Sequence, residues 1–181
     1  MTAPLTIYTD GSYDPVEVSG SWAFVVLETG QQLHAARGTE IGLTNNSFEV
    51  MAVMNALLWL DAHAPGRTTV LWTDSAHVVE GCHRHRKIWR TNGWKRINPN
   101  SRARKRQIPD EALWRSVDSL LLRNPNVDIE WCKGHSGIAG NDFADALARN
   151  PVAQASAISW ECRPLRSRFV RYVKIKNPFV R

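Results

Sequence analysis

The side chains in this sequence best able to do chemistry are acids. Asp10 follows Leu5, Ile7 and Tyr8 in "LTIYTDGSYD", and Asp74 follows Val70, Leu71 and Trp72 in "TTVLWTDSAH". Both apolar runs read as strands, and both finish on Thr-Asp. One such ending is ordinary turn chemistry, because Asp is favoured at turns and helix N-caps. Two of them, more than sixty residues apart, point to two carboxylates brought together. Glu49 lies one turn into an apolar helical pattern, three residues after Asn46. That spacing fits a capping box, with Asn46 as N-cap and Glu49 at N3, as well as it fits a functional acid. Asp142 and Asp145 open the last helical pattern. Asp142 suits the helix dipole, whereas Asp145, between Ala144 and Ala146 with Leu147 beyond, lies on a face that packs inward.

Three or four carboxylates in one cleft repel each other unless cations sit between them. A ligand set of oxygens alone, with no cysteine and no paired histidines, selects hard ions such as Mg²⁺ or Mn²⁺. Four carboxylates neutralise two divalent ions, and two such ions about 3.5–4 Å apart serve in-line phosphoryl chemistry. In "WCKGHSGIAGND", His135 stands in a glycine-flanked loop after a strand, where a histidine can shuttle protons.

Those residues need elements to position them. The reading places strands at 4–10, 19–28 and 32–40, with a hairpin turn at Glu28-Thr29-Gly30. A helix apolar nearly all round follows at 45–64 and stops at Pro65-Gly66. Then come a strand at 68–73, a short helix from Ser75, a basic segment, a helix at 109–123 with Leu113, Trp114, Val117, Leu120 and Leu121 on one face, a strand at 127–135 and a helix at 141–149. Three hairpin-joined strands followed by strand–helix alternation make an α/β fold, a mixed sheet with helices on its faces. Ligands of open α/β sheets sit outside the carboxyl ends of strands, where Asp10 and Asp74 are expected. Asn150-Pro151 is the expected boundary, giving a domain at 1–150 and a basic extension at 151–181. Within the extension, "RFVRYVKIK" is too apolar for a solvated tail, so part of it is expected to pack as a short strand or arm.

Charge is distributed unevenly. The net charge is +6, and the extension, with seven Lys or Arg against one Glu, carries the whole excess. Inside the balanced body, Gly81 to Pro109 holds ten Lys or Arg and no acid, interleaved with Trp89 and Trp94. Clustered cations are a footprint for a polyanion, and aromatic residues among them suit sugars and bases. Cys82, Cys132 and Cys162 are odd in number and form no C-x-x-C pair, which indicates neither a disulfide framework nor a structural zinc site and suits a reducing compartment. The start lacks a signal-peptide pattern, and no apolar run is long enough to span a membrane.

Taken together, the motifs resemble those of type 1 ribonuclease H. "YTDGS", "TNNSFE", "TDS", "IWRTNGWK", "ALW" and "KGHSG…ND..D.LA" stand in that family's order and close to its spacings, across residues 5–148. The resemblance implies a ribonuclease H-like five-stranded mixed sheet flanked by helices, here with a basic C-terminal extension. It implies an endonuclease that hydrolyses the RNA strand of RNA–DNA hybrids with two Mg²⁺ ions, Mn²⁺ being a substitute, and leaves 3′-hydroxyl and 5′-phosphate ends. The catalytic and metal-ligating carboxylates fall on Asp10, Glu49, Asp74 and Asp145, and the mobile histidine on His135. Gly11, Ser12, Asn45 and Asn46 match positions facing the RNA-side backbone and minor groove. Thr44 matches a DNA-phosphate contact, and Trp89, Trp94, Lys95 and Arg96 match the basic protrusion that grips the DNA strand. The 2′-hydroxyl is the physical basis for telling the strands apart.

The chain departs from the family at "SYDPVEVSGSW", where a Gly/Pro-rich turn is common, at Ala76 in place of a glutamine, and at His85 in place of a tryptophan. The expected partner is RNA–DNA hybrid, with no small-molecule cofactor and no membrane, for a cytoplasmic monomer. Three other classes fit parts of the pattern. A junction resolvase or integrase core usually lacks the KGH loop and the tryptophan protrusion together. A non-catalytic duplex-binding module predicts a missing carboxylate. A reverse-transcriptase domain is opposed by Met1 so soon before Asp10.

Overall fold

The computed structural model describes residues 3–95, 107–149, 157–158 and 173–175. Strands β1 (Leu5–Asp14), β2 (Ser19–Glu28) and β3 (Gln31–Ile41) form an antiparallel meander. The expected hairpin turn between β2 and β3 is there, with φ of 49° at Thr29 and 79° at Gly30, the positive values that a two-residue turn matched to strand twist requires. Strand β4 (Thr69–Thr73) pairs parallel to β1, and β5 (Val127–Trp131) pairs parallel to β4. The order β5-β4-β1-β2-β3 is the expected five-stranded mixed sheet. Two short strands extend its β3 edge: β7 (Val173–Ile175) pairs antiparallel to β3 through Ala36↔Lys174 and Arg37↔Val173, and β6 (Ala157–Ile158) pairs with β7.

Helices cover both faces. On one face α1 (Asn45–His63) is buried nearly all round, because it lies between the sheet and α4 (Glu111–Arg123). Phe48, Val53, Leu57 and Leu60 share one core with Trp114, Val117 and Leu120, while Leu113 is only partly buried. On the other face Ala144, Leu147 and Ala148 of α5 (Ala139–Arg149) pack on Ala23, Val25 and Ala35. Coverage on both sides explains why Ser21 to Val26 of β2 are continuously buried rather than alternating.

Several boundaries differ from the sequence reading. Strand β1 runs four residues past Asp10, because its hairpin with β2 continues to Asp14↔Ser19 after the pairing with β4 stops at Thr9↔Thr73. Strand β5 stops at Trp131, where its parallel partner also ends. After Ser75, which caps α2 (Ala76–Glu80) by accepting from Val78 N, the chain stays helical through a π turn at Gly81–His85 and α3 (Arg86–Thr91). The first half of the basic segment is therefore helix. Helix α5 begins two residues earlier than expected, at Ala139.

Candidate active site

Two close approaches bring the acids together. Gly11 lies against the backbone of Phe48 and Glu49, so closely that a Cβ there would collide with it. This approach sets Asp10 on β1 beside Glu49 on α1. Gly134 lies in the same way against the Asp74 carboxylate. Asp10 does not end its strand, as the sequence reading had it. It sits where the parallel half of the sheet stops and only the β1–β2 hairpin continues, so it is level with Asp74, one residue past the end of β4. The Trp131 indole N–H donates to the Asp74 backbone carbonyl at 3.1 Å and fixes that corner.

The capping box is real but is made by other residues. Thr44, not Asn46, is the N-cap of α1; its hydroxyl accepts from Ser47 N at 3.3 Å, and Ser47 answers from N3. The shift of two residues removes Glu49 from capping and leaves its carboxylate facing Asp10.

Asp10, Glu49 and Asp74 each present an oxygen within 4.8 Å of the others. Asp10 and Glu49 are 5% and 7% exposed. Burial, then the charges of Asp74 and Asp145, push the Asp10 carboxyl up to about 7. Burial, then Asp10 and Asp74, push Glu49 up to about 9, against the opposing Gly11 N–H. The buried Glu49 Oε2 has no hydrogen-bond partner among the described residues. An orphaned carboxylate oxygen among repelling acids, with only oxygen donors around it, is a set of residues that fits hard divalent cations.

Asp145 lines the same cleft, of about 370 Å³, but lies outside the three-acid cluster. Its Oδ1 takes the Arg149 Nε at 2.7 Å, and its Oδ2 is 3.6 Å from His135 Nδ1. His135 is 64% exposed and held at φ 51°, in the left-handed region that few non-glycine residues enter. Its Nε2 is 3.3 Å from an Arg149 nitrogen. Asp142 lies in the first turn of α5 and does not line the cleft. The sequence reading gave Arg149 no role; its signal was the i,i+4 spacing from Asp145.

The residues matched to nucleic-acid contacts divide. Gly11, Ser12 and Asn45 line the cleft, together with Tyr13. Thr44 and Asn46 are exposed at the start of α1 but outside it. Trp89 and Trp94 are not free aromatics, as had been expected. Trp89 meets Trp114 edge-on at 5.6 Å and stacks on His85 at 5.4 Å, and Arg115 covers the Trp94 ring at 4.8 Å. The tryptophans anchor the basic segment to α4. Two of its cations are also used internally: Arg86 and Arg90 bind Asp118, which is 5% exposed, at 2.7 and 2.8 Å. Lys95 is exposed, and Arg96 lies outside the described residues.

A family model described as RNase H matches residues 2–153. A curated "Ribonuclease H" of Phenylobacterium zucineum is 36% identical over 157 residues, 87% of this chain and 95% of that protein. A "Ribonuclease HI" of Caulobacter vibrioides is 35% identical over 156 residues, 86% and 97% of the two chains. Among solved structures, the crystal structure of LC9-RNase H1, a type 1 RNase H with the type 2 active-site motif, matches with a TM-score of 0.68 and 26% identity, covering 82% of this chain and 71% of that one.

Proposed function

The chain belongs to the ribonuclease H family, and on that premise we propose that it hydrolyses the RNA strand of RNA–DNA hybrids with two Mg²⁺ ions held by Asp10, Glu49, Asp74 and Asp145. The observation that carries the reading is the trio of Asp10, Glu49 and the half-buried Asp74, with oxygens within 4.8 Å and the two buried carboxyls, Asp10 and Glu49, driven toward protonation by burial and by their neighbours' charges. Bound there, divalent cations supply charge neutralisation and an activated water for in-line attack, leaving 3′-hydroxyl and 5′-phosphate ends. Mn²⁺, with the same preference for oxygen, is the expected substitute.

The chain's own residues do the rest. Gly134 and Trp131 hold Asp74 against the cleft. Arg149 balances Asp145 from one turn away. His135, exposed at the rim and within reach of Asp145, carries protons between the cleft and solvent. Gly11, Ser12, Asn45 and Asn46 face the RNA strand, and Thr44, Trp89, Trp94, Lys95 and Arg96 face the DNA strand. No helix among the described residues is long and apolar enough to cross a membrane.

The test is to incubate the protein with Mg²⁺ and labelled RNA–DNA hybrid, double-stranded RNA and double-stranded DNA. Cleavage confined to the RNA of the hybrid is expected. Cutting of either pure duplex at a comparable rate would move the protein to another nuclease class.

A further inference from the structure

The hydroxyls at the start of α1 can be ordered by counting protons. Thr44 and Ser47 are joined three ways: Ser47 N donates to Thr44 Oγ1 at 3.3 Å, Thr44 N donates to Ser47 Oγ at 3.3 Å, and the two hydroxyl oxygens are 2.9 Å apart. Ser47 Oγ then reaches Asp110 Oδ2 at 3.0 Å, across 63 residues of sequence. An ionised carboxylate only accepts. Ser47 has one hydroxyl proton, so it goes to Asp110, and the proton between the two hydroxyls comes from Thr44. Both donors of Thr44 are thus spent on Ser47, and the side-chain donor of Ser47 is spent on Asp110.

Asp110 is fixed in this position. It has φ 55°, it follows the buried Ile108, and its carbonyl accepts from Trp114 N as α4 begins. A phosphate, which offers only acceptors, finds no hydroxyl donor at Thr44 while this chain of bonds stands, and it meets a carboxylate behind it.

We propose that Asp110 sets the affinity for hybrid at this corner: by taking the proton of the buried Ser47 hydroxyl, its carboxylate keeps the Thr44 hydroxyl turned to Ser47 and away from a DNA-strand phosphate. The proposal rests on the reading above in which Thr44 faces a phosphate. Asp110 is a latch on the donors, and releasing it adds one phosphate-binding position to the surface.

The test measures KM and kcat of the full chain on a hybrid at several salt concentrations. Asp110→Gly removes the carboxylate and suits the positive φ. It should lower KM about three- to tenfold, the worth of one recovered hydrogen bond, and leave kcat unchanged; because the recovered donor is a neutral hydroxyl, the log–log salt slope should change by well under the ~0.9 of a phosphate neutralised by Lys or Arg. Asp110→Asn, which keeps an acceptor without the charge, should gain less. Glu111→Gln, next in sequence and paired with Arg115 at 2.8 Å, removes the same charge without touching the network and should leave KM unchanged. Thr44→Val should erase the gain in the Asp110→Gly background, and Thr44→Ser should keep it. Thermal unfolding of each variant checks that the cap has not melted. A KM unchanged or raised in Asp110→Gly, or a gain that survives Thr44→Val, overturns the latch. Lys95→Ala reports on the underlying surface: a raised KM there with no Asp110 effect sinks the latch alone, and no effect in either sinks the hybrid-surface reading and the latch with it.

Discussion

The cleft around Asp10 and the segment around Trp89 each gather charge of one sign, and they handle it in opposite ways. In the cleft the acids are buried against one another, and among the described residues the nearest compensation for Asp10 and Glu49 is a backbone N–H and the more distant Arg149. In the basic segment, repulsion is relieved by exposure, by aromatic packing and by Asp118, which takes Arg86 and Arg90 together. One region is left unsatisfied by the protein's own groups. The other is satisfied at its base, and among its described cations Arg84, Lys87 and Lys95 stand exposed. The difference gives each region its own signature: mutations in the cleft should act on turnover and on metal-dependent stability, those in the segment on binding or on the fold.

The largest effect should come from the cleft. Asp10→Asn or Asp74→Asn should abolish cleavage, by on the order of 10³-fold or more, the scale met when a group stabilising transition-state charge is removed. Folding should survive, and the metal-free protein should melt at a higher temperature, because a buried repulsion is relieved. Wild-type turnover in either variant would erase the distinction between the two regions.

The same repulsion has a pH signature. Asp10 at about 7 and Glu49 at about 9 both lie above the ordinary carboxylate range. Between about pH 4 and those values the folded protein holds protons that the unfolded chain has released, so metal-free stability should fall as pH rises, by about 1 kcal/mol per unit for each group. Denaturant titrations in chelator from pH 5 to 9 measure the slope. Saturating Mg²⁺ or Glu49→Gln should flatten it; a metal-free stability that rises across this window would contradict the unsatisfied cleft. Next in size, His135→Ala should slow turnover about a hundredfold without abolishing it, the low end of acid–base contributions. Complete loss with normal hybrid binding would give His135 more than a shuttle's part.

The basic segment should separate within itself. Arg86→Ala leaves the buried Asp118 half-compensated and should cost roughly 3 kcal/mol in a denaturant titration, with the salt slope of binding unchanged. Neutralising Lys95, Arg96, Arg104 and Arg106 together should leave stability nearly untouched and flatten the slope by about 0.9 for each phosphate that is no longer neutralised. A flattened slope in Arg86→Ala, or an unchanged one in the fourfold variant, would assign the cations the other way round.

Most of the candidate site was readable in the sequence because it depends on residue type and rough spacing. Asp74 just past β4, the glycine-flanked His135 and the hairpin at Thr29-Gly30 lie where the pattern put them, and Asp10 lies beside Asp74 although its strand runs on to Asp14. What escaped was settled by tertiary packing. Asn46 and Glu49 have capping-box spacing, yet Thr44 and Ser47 take the cap, since the site of the first helical turn depends on how the preceding loop leaves β3. Trp89 reads as exposed among cations, and only the approach of Trp114 from α4 buries its edge. Arg149 carries no motif; its meaning appears once α5 turns Asp145 toward Asp10.

The extension from Pro151 should give the smallest effect, and it tests whether the basic side of the comparison ends at Pro109. Its seven cations would add to the polyanion surface, and it contains none of the proposed metal ligands. Its described backbone joins the sheet at Ala36 and Arg37 of β3, the edge opposite β5. The cleft acids come from β1, α1, the end of β4 and α5. Truncation after Asn150 should therefore spare kcat and raise KM for long hybrids a few-fold, more at low salt, where the attraction between each removed cation and a phosphate is least screened. Short hybrids should be cut equally by both forms, since they do not reach beyond the cleft and the basic segment. Equal KM at low salt on long hybrids would confine nucleic-acid binding to the body. A soluble but inactive truncation would make β7 a structural strand of the sheet, because removing an edge partner of β3 would then have disturbed β2 and β1 behind it.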